Sequence, residues 1–493
     1  MLLPDYDTII LGAGFGGIGL AILMQQAGRT DFCILEQSDR VGGTWRDNTY
    51  PGACCDVPSH LYCYGFDAKR DWTRVFAPQP EILFYIEGLV ARHDLRSYIK
   101  FGAEVASAAW IEKHGWWEIT IANAQTLTAR SFVAAWGQLN RPNSPIIPGA
   151  ESFTGESFHS ARWRHDIDLA DKRVASIGNA ASAVQFVPHV AQSAGHLDIF
   201  QRSANYVVPR LDRAYTAEEI AAFANTPDAY AASRAAMYAE REDRFARMRV
   251  GSALADELAG IARDHLHAQI ADPALRASLT PDYSIGCKRI LISDDYYPAL
   301  TRPNVSLVTD AIARIVPDGI VTADGALHPA DVIIYATGFE ARSFQGPVEI
   351  TGCGGKNLRA TWAGTPRAHG GLTVPGFPNF FMLYGPNTNL GHNSILEMLE
   401  AQSRYILQAL ALIETVDAID VRPEVLERSD AATQAQMQGA AWAAGCTSWY
   451  VGADGRVINN WSGTVEDYKC RVATLDPADF AAVPIPETVS IYS

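Results

Sequence analysis

The architecture follows from residues 6–36, which read YDTIILGAGFGGIGLAILMQQAGRTDFCILE. An apolar run of strand length, Tyr6–Leu11, stands directly before a glycine-rich turn. A helical stretch over 18–27 ends at Gly28, and a second short apolar run covers Phe32–Leu35. This order of strand, turn, helix and strand predicts a βαβ unit.

The turn carries a G-x-G-x-x-G motif whose glycines suit a pyrophosphate. Gly12 permits the tight turn, Gly14 lets the backbone approach the ligand, and Gly17 lets the helix pack on the strand. The start of the helix offers unpaired N–H groups to phosphates. Glu36, at the end of the second strand, is placed to accept hydrogen bonds from ribose hydroxyls. We therefore predict a dinucleotide site here in preference to a purely structural glycine turn.

A second unit of the same kind begins at residue 173. The strand Arg173–Ile177 precedes the turn Gly178-Asn-Ala-Ala-Ser182, a helix to about residue 194 and the strand Leu197–Phe200. Its glycine pattern is degraded, because alanines stand at the second and third motif positions. Taken alone, this motif is weak evidence for a nucleotide site.

The residue after the second strand distinguishes the two units. The separation from Gly12 to Glu36 equals that from Gly178 to Arg202. An acid at this position repels a 2′-phosphate, whereas an arginine accommodates one. We predict FAD in the first unit and NADPH in the second. The alternative is that Arg202 is a solvated surface residue, as most arginines are.

The remaining chain predicts an α/β fold of two Rossmann-like dinucleotide-binding domains with a helical insert. Its 493 residues are enough for two to four domains. A segment rich in Ala, Glu and Arg opens with a capping-box pattern at Thr216–Glu219, and it is broken near Pro227, Gly251 and Pro273. A strand is predicted over Asp331–Tyr335 and a long helix from about Ser394. The predicted limits are 1–145 and 340–493 for FAD, 146–210 and 280–339 for NADPH, and 211–279 for the insert.

Composition excludes several classes of protein. The chain is 48% hydrophobic and has a formal net charge of −15, which argues against disorder and against a nucleic-acid partner. Residues 1–7 carry no Lys or Arg, so no secretory signal is predicted, and the uncharged stretch 8–28 has too many glycines for a membrane span. Eight cysteines without a C-x-x-C pair predict reduced thiols in a cytoplasmic protein. No metal site is predicted.

Two further motifs carry a family resemblance. The first is Gly42-Gly43-Thr44-Trp45-x4-Tyr50-Pro51-Gly52-x3-Asp56, and the second is Phe153-x-Gly155-x3-His159-x3-Trp163. Together they resemble the signatures of Baeyer–Villiger monooxygenases, the class B flavoprotein monooxygenases that use FAD and NADPH. The resemblance departs from the usual pattern at Arg164, where family members have Pro or Asp. It implies conversion of a ketone to an ester or lactone by NADPH and dioxygen, through a flavin peroxide.

The resemblance also assigns roles to individual positions. It implies that Arg289 is the catalytic arginine, that Asp56 orients it, and that His159 couples cofactor binding to domain motion. The implied FAD positions are Gly12, Gly14, Gly17, Glu36, Thr44, Trp45, Asp56, Tyr62 and Val105. The implied NADPH positions are Gly178, Ser182, Gln185, Arg202, Ser203, Lys288 and Arg289.

Each of these roles has a structural alternative, and the activity has rivals. His159 could be a core histidine, Trp45 and Trp163 core aromatics, and Asp56 a turn residue. The nearest rival activity is oxidation of nitrogen or sulfur atoms. A flavin disulfide reductase is more distant, because adjacent Cys54-Cys55 lacks the usual spacing. A non-enzymatic nucleotide-binding protein is the remaining class.

Overall fold

The computed structural model describes residues 3–485. The strands are β1 (Tyr6–Leu11), β2 (Phe32–Leu35), β3 (Ile99–Lys100), β4 (Val105–Ile111), β5 (Trp116–Ile121), β6 (Thr126–Ala134), β7 (Glu156–His159), β8 (Arg173–Ile177), β9 (His196–Phe200), β10 (Val207–Val208), β11 (Leu291–Ile292), β12 (Val305–Val308), β13 (Ile312–Val316), β14 (Gly319–Thr322), β15 (Leu327–Pro329), β16 (Val332–Tyr335), β17 (Glu349–Thr351), β18 (Phe380–Met382), β19 (Ile419–Val421) and β20 (Phe480–Ala482).

The helices alternate with these strands and cluster between β10 and β11. They are α1 (Phe15–Gln26), α2 (Thr44–Asp47), α3 (Gln79–Arg92), α4 (Ala183–Ser193), α5 (Ala217–Asn225), α6 (Pro227–Asp243), α7 (Ala253–Gln269), α8 (Pro273–Ser278), α9 (Tyr296–Leu300), α10 (Leu358–Trp362), α11 (Ile395–Val416), α12 (Pro423–Gln436) and α13 (Val465–Arg471). Within residues 3–485, none of them combines the length and apolar character that crossing a bilayer requires.

The first sheet is built around β1. Strands β2 and β6 flank β1 in parallel, and β18 pairs in parallel with β6. Strands β4, β5 and β6 form an antiparallel meander, with β17 beside β4. The sheet therefore draws strands from both the beginning and the later part of the chain, and α1 packs against α11 beside it.

The second sheet is parallel throughout, in the order β12-β9-β8-β16-β7. Its β8–α4–β9 unit repeats the arrangement of β1–α1–β2 in the first sheet. The two βαβ units, the α/β class and the helical insert are thus confirmed. In such sheets ligands bind at the carboxyl ends of the strands, which is where both glycine turns lie.

Two glycines explain why the turns are possible at all. Gly12 has φ +103° and Gly178 has φ +109°, values that other residues rarely adopt. A Cβ on Gly12 would strike the carbonyl oxygen of Ala135, and one on Gly178 would strike that of Ala336. In both units the absence of a side chain on the first glycine therefore lets the turn pack closely against the backbone that follows a neighbouring strand.

The insert is formed by helices α5 to α8. The Thr216 hydroxyl accepts from the Glu219 N–H and the Glu219 carboxylate accepts from the Thr216 N–H, which confirms the predicted capping box. Helix α6 packs on the loop after Asp56, where the Ser233 hydroxyl lies 2.9 Å from His60 Nδ1. The insert therefore covers one side of the region described next.

Candidate active site

An arginine and an aspartate from distant parts of the chain meet between the two units. Arg289 Nε donates to Asp56 Oδ2 at 3.1 Å, and Arg289 Nη2 donates to the same oxygen. Asp56 follows the loop after α2, and Arg289 stands two residues before β11. The structure thus joins the two residues that the family resemblance assigned to catalysis.

The pair is partly accessible. The side chains of Arg289 and Asp56 are 33% and 31% exposed. Burial favours the neutral acid, but the Arg289 charge outweighs it and lowers the pKa of Asp56. Asp56 in turn raises the pKa of Arg289. The result is a guanidinium that stays charged and partly accessible.

Several aromatic side chains lie near this pair. Trp45 Nε1 donates to the Tyr62 hydroxyl at 3.1 Å, and the rings meet edge to face. Burial raises the pKa of Tyr62, Tyr384 and Tyr450, and all three phenols lie close enough to Asp56 to feel its charge. Tyr62 and its partner Trp45, both implied FAD positions, therefore lie in the neighbourhood of Asp56.

The first glycine turn has the shape of a phosphate cradle. Gly14 and Gly43 approach each other so closely that a Cβ on Gly43 would lie 3.2 Å from Gly14 Cα. Among residues 3–485 no side chain caps the N-terminus of α1, so its first N–H groups are open to a phosphate. Thr44 begins α2 directly after Gly43.

Glu36 is buried and held by several donors. Its Oε2 accepts from the Ala13 N–H at 2.9 Å, and its Oε1 accepts from the Ser38 N–H and from Arg46 Nη1, each at 2.9 Å. The carboxylate is thus fixed at the end of β2, where the motif places a ribose acceptor. Val105, by contrast, contributes its side chain to the hydrophobic core, so only its backbone is left to contact a nucleotide.

Three polar residues converge beyond the second glycine turn. Lys288 Nζ donates to the Ser203 hydroxyl at 2.8 Å. Burial lowers the pKa of Lys288, and the nearby Arg202 charge lowers it further. Arg202 is exposed. Two cations without an acid in hydrogen-bonding range, within the part of the chain described, could together hold an anionic group such as a phosphate.

Gln185 ties the second unit to the loop of the first. Its Oε1 accepts from the Tyr50 hydroxyl at 3.0 Å, and its Nε2 donates to the Cys54 carbonyl at 3.0 Å. The Ser182 hydroxyl also lies near Tyr50. Gln185 was predicted as an NADPH position, and in this structure its amide serves contacts between the units.

His159 lies apart from the arginine pair, at the end of β7. Its Nδ1 accepts from the Ala161 N–H at 3.1 Å, so the ring proton is on Nε2, which is buried without a partner in the described chain. Burial lowers the pKa of His159, so the ring is neutral at pH 7. Over residues 3–485 no hydrogen bond joins it to Arg289 or Asp56. Its coupling role stays a prediction.

The expectation that all cysteines are reduced thiols is wrong. Cys287 and Cys446 form a disulfide, with their Cα atoms 6.2 Å apart. They are 159 residues apart in sequence, and no spacing rule pairs cysteines at such a distance. Because Cys287 precedes Lys288 and Arg289, the bond attaches the segment that carries Arg289 to the later segment that carries Tyr450.

Counting thiols tests this bond. The denatured chain without reductant should present six reactive thiols, and the reduced chain eight. A Cys446→Ser variant should present seven in both states, because Cys287 is then free. The measurement is titration with a chromogenic thiol reagent in denaturant. Eight thiols in the unreduced wild-type chain would contradict the pairing.

Comparison with known proteins places the chain among characterised enzymes. Residues 9–240 match the family described as pyridine nucleotide-disulphide oxidoreductase. A Baeyer-Villiger monooxygenase of Streptomyces coelicolor is 40% identical over 97% of this chain and 93% of that protein. This chain is a Baeyer–Villiger monooxygenase by family.

Two solved structures share its fold. A cyclohexanone monooxygenase from Rhodococcus sp. Phi1 bound to NADP+ superposes with a TM-score of 0.85, at 31% identity over 96% of this chain and 97% of that one. OTEMO in complex with FAD and NADP superposes with a TM-score of 0.89, at 28% identity over 97% and 100% of the two chains.

The departure at Arg164 has a simple structural setting in this Baeyer–Villiger monooxygenase. Arg164 is exposed and pairs with Asp166 at 2.6 Å and with Glu156 at 3.6 Å. The preceding Trp163 is an aromatic packing residue between Phe158 and Phe186. Arg164 therefore points away from the motif's buried side.

Several residues near the arginine pair were missed by the sequence. Arg241 of α6 is buried, lies over the Phe76 ring and contributes to lowering the pKa of Asp56. Tyr384 and Tyr450 come from two different later segments. Nothing in their local sequence spacing marks these residues, because only the tertiary fold brings them to Asp56.

Proposed function

We propose that this chain uses NADPH and dioxygen to convert a ketone into an ester or lactone. The observation that carries the proposal is the partly exposed Arg289–Asp56 pair, which joins the loop after α2 to the segment before β11. In balanced form, ketone, O2, NADPH and H⁺ give ester, NADP⁺ and water. Reduction of O2 to the inserted oxygen atom and water takes four electrons. Oxidation of the ketone to the ester supplies two of them, and NADPH supplies the other two.

The first unit suits FAD. Gly12, Gly14 and Gly17 would face its pyrophosphate, and Glu36 its ribose. Thr44, Trp45 and Tyr62 would line the flavin side, next to Asp56. When bound, FAD supplies the electron transfer and the activation of dioxygen, for which the protein's side chains have no equivalent.

The second unit suits NADPH. Gly178 and the residues up to Ser182 form the turn before α4, and Arg202, Ser203 and Lys288 would hold the 2′-phosphate. A guanidinium and an ammonium together match a dianionic phosphate better than a neutral ribose hydroxyl. We therefore expect preference for NADPH over NADH. The domain limits predicted from the sequence stay a proposal.

The role of Arg289 follows from its charge and fixed direction. When a nucleophilic oxygen adds to a carbonyl carbon, negative charge develops on oxygen. A guanidinium stays protonated at every working pH and stabilises that charge without surrendering a proton. Asp56 accepts from two of its N–H groups, which fixes the plane of the guanidinium and leaves its other donors for the substrate side.

The alternatives draw less support. Disulfide reduction would require Cys54 and Cys55 to act together, yet they are separate thiols: Cys54 Sγ accepts from Arg210 Nη1 at 2.7 Å, and Cys55 is buried. An enzyme that oxidises sulfur or nitrogen atoms would use the same two cofactors, so only the identity of the product separates it from the proposed activity.

A substrate panel tests the proposal. The purified yellow protein should consume NADPH under air in the presence of aliphatic, cyclic and aromatic ketones, with at least one converted to its ester or lactone. Matched sulfides and amines serve as the comparison. Products would be identified by mass spectrometry. Conversion of sulfides or amines together with inert ketones would overturn the proposal.

A further inference from the structure

The disulfide between Cys287 and Cys446 lies close in the chain to the active-site arginine. Cys287 stands two residues before Arg289, whose guanidinium donates to Asp56 Oδ2 at 3.1 Å. Cys446 comes from a part of the chain 159 positions later. The bond therefore connects the backbone that carries Arg289 to a segment that no local contact brings there.

The backbone around Arg289 belongs to an irregular stretch between α8 and β11. On its C-terminal side, β11 is two residues long and is paired in parallel with the equally short β10. On its N-terminal side, Cys287 is the point at which the stretch is covalently attached. The disulfide is thus a fixed point two residues from the guanidinium-bearing position.

The partner segment is also irregular. Residues 444–464, all within the described chain, contain no helix and no strand. Side chains from outside and inside this segment hold its main chain: Arg342 Nη2 donates to the Ser448 carbonyl at 2.8 Å, and Asn459 Nδ2 donates to the Trp449 carbonyl at 2.6 Å. Opening the disulfide would leave residues 444–450 attached mainly through such single hydrogen bonds.

The two sulfur atoms differ in accessibility. Cys287 is 1% exposed, whereas Cys446 is partly exposed. Exchange between a thiolate and a disulfide depends on access to the sulfur that is attacked. A reductant in solution therefore reaches Cys446 and displaces Cys287. The two segments also touch beside the bond, because a Cβ on Gly286 would lie 2.8 Å from that of Ala441.

We propose that Cys287–Cys446 is a reversible redox site, at which a dithiol reductant opens the bond at Cys446 and lowers the coupling of NADPH oxidation to ester formation. The effect on coupling rests on the proposed function. One thiolate of the reductant bonds to Cys446 Sγ as the S–S bond breaks, and Cys287 leaves as a thiolate that takes up a proton. The second reductant thiolate then bonds to the first reductant sulfur and releases Cys446, which is protonated in turn. Two electrons and two protons thus pass from the dithiol, which becomes a cyclic disulfide.

Opening the bond should act on coupling rather than on folding. Arg289 keeps its hydrogen bonds to Asp56, and Gly286 keeps its contact with Ala441. The main chain of Arg289 loses a fixed point, however, and a misplacement of about 1 Å in a reacting geometry costs up to roughly 10²-fold in rate. We expect the ester formed per NADPH to fall by about 3–10-fold, a partial loss of that kind, with the missing electrons recovered as H2O2.

Two single variants test which sulfur is attacked. In Cys287→Ser the accessible Cys446 thiol should form a mixed disulfide when the native protein is treated with oxidised glutathione. In Cys446→Ser the buried Cys287 should form none. Peptide mass spectrometry locates the adduct, and dithiothreitol should remove it. Equal adducts on both cysteines, or a wild-type bond that resists excess dithiothreitol in the native protein, would overturn the proposal.

The effect on coupling is measured on the holoenzyme, before and after reduction with dithiothreitol and removal of the reductant under nitrogen. Ester, H2O2 and NADPH are quantified in the same sample. Both serine variants should match the reduced wild type and should not respond to dithiothreitol. Cys470→Ser, which removes an exposed free thiol, should respond as the wild type does. An equal ester yield per NADPH from the oxidised and reduced wild type would overturn the effect on coupling.

Limited proteolysis gives a readout that does not depend on catalysis. A protease of broad specificity should cut residues 444–450 faster in the reduced wild type and in both serine variants than in the oxidised wild type, with the FAD content unchanged. Equal cutting would contradict release of this segment. If no ketone is converted, the proposed function fails, while labelling and proteolysis still decide whether the bond is a redox site. If ester forms but its yield does not follow the state of the bond, this inference alone fails.

Discussion

Arg289→Ala is expected to abolish ester formation while FAD binding and NADPH oxidation persist. The variant loses the only guanidinium that bonds to Asp56 in the described chain. Losing one oxyanion donor costs on the order of 10²–10³ in rate. The pKa of Asp56 should rise once its counter-charge is gone, which adds to the loss. The electrons of NADPH should then appear as H2O2.

Paired assays of NADPH oxidation, H2O2 and ester would measure this uncoupling. Arg289→Lys keeps the charge but not the bidentate geometry, so it should recover only part of the ester. Arg244→Ala is the matched control, because Arg244 is a partly exposed arginine that pairs with Glu240 on α6. Full ester formation by Arg289→Ala would show that this residue does not stabilise the reacting oxygen.

Arg202→Ala is expected to raise the KM for NADPH on the order of 10–100-fold, with little change for NADH. A charge-assisted hydrogen bond to phosphate contributes about 1.5–3 kcal/mol, and NADH lacks the phosphate that Arg202 would meet. Lys288→Ala should act in the same direction, since Lys288 shares this site through Ser203. Steady-state kinetics with both coenzymes measures the ratio.

The control for this pair is Arg173→Ala. Arg173 is another exposed arginine, at the start of β8, and it already pairs with Asp331 at 2.5 Å. Its removal should leave the NADPH to NADH ratio unchanged. Equal effects of Arg202→Ala on both coenzymes would mean that Arg202 is a solvated surface residue, which is the alternative that its sequence allows.

Much of the fold was predictable because its signals are local. The apolar run of residues 6–11 and the run of 173–177 are β1 and β8 without adjustment, and the capping box at Thr216 begins α5. A glycine turn can be recognised from local sequence alone, because the glycine that adopts a positive φ and the start of the helix lie within a few residues of each other.

The candidate site was only partly predictable. Asp56 and Arg289 could be assigned because each lies in a motif that resembles a known family, and the structure brings them together. Tyr450 and the Cys287–Cys446 disulfide have no such motif. Contacts between residues more than 150 positions apart in sequence arise from tertiary packing, and the hydrophobic periodicity of a single sequence does not predict them.

The most direct test of the central claim follows the oxygen atom. The wild-type protein with NADPH and its best ketone is supplied with ¹⁸O2 in ordinary water, and the product is examined by mass spectrometry. The account predicts an ester or lactone that contains one ¹⁸O atom in its new ring or chain position. An unlabelled ester, or NADPH oxidation that yields only H2O2 with every ketone, would contradict it.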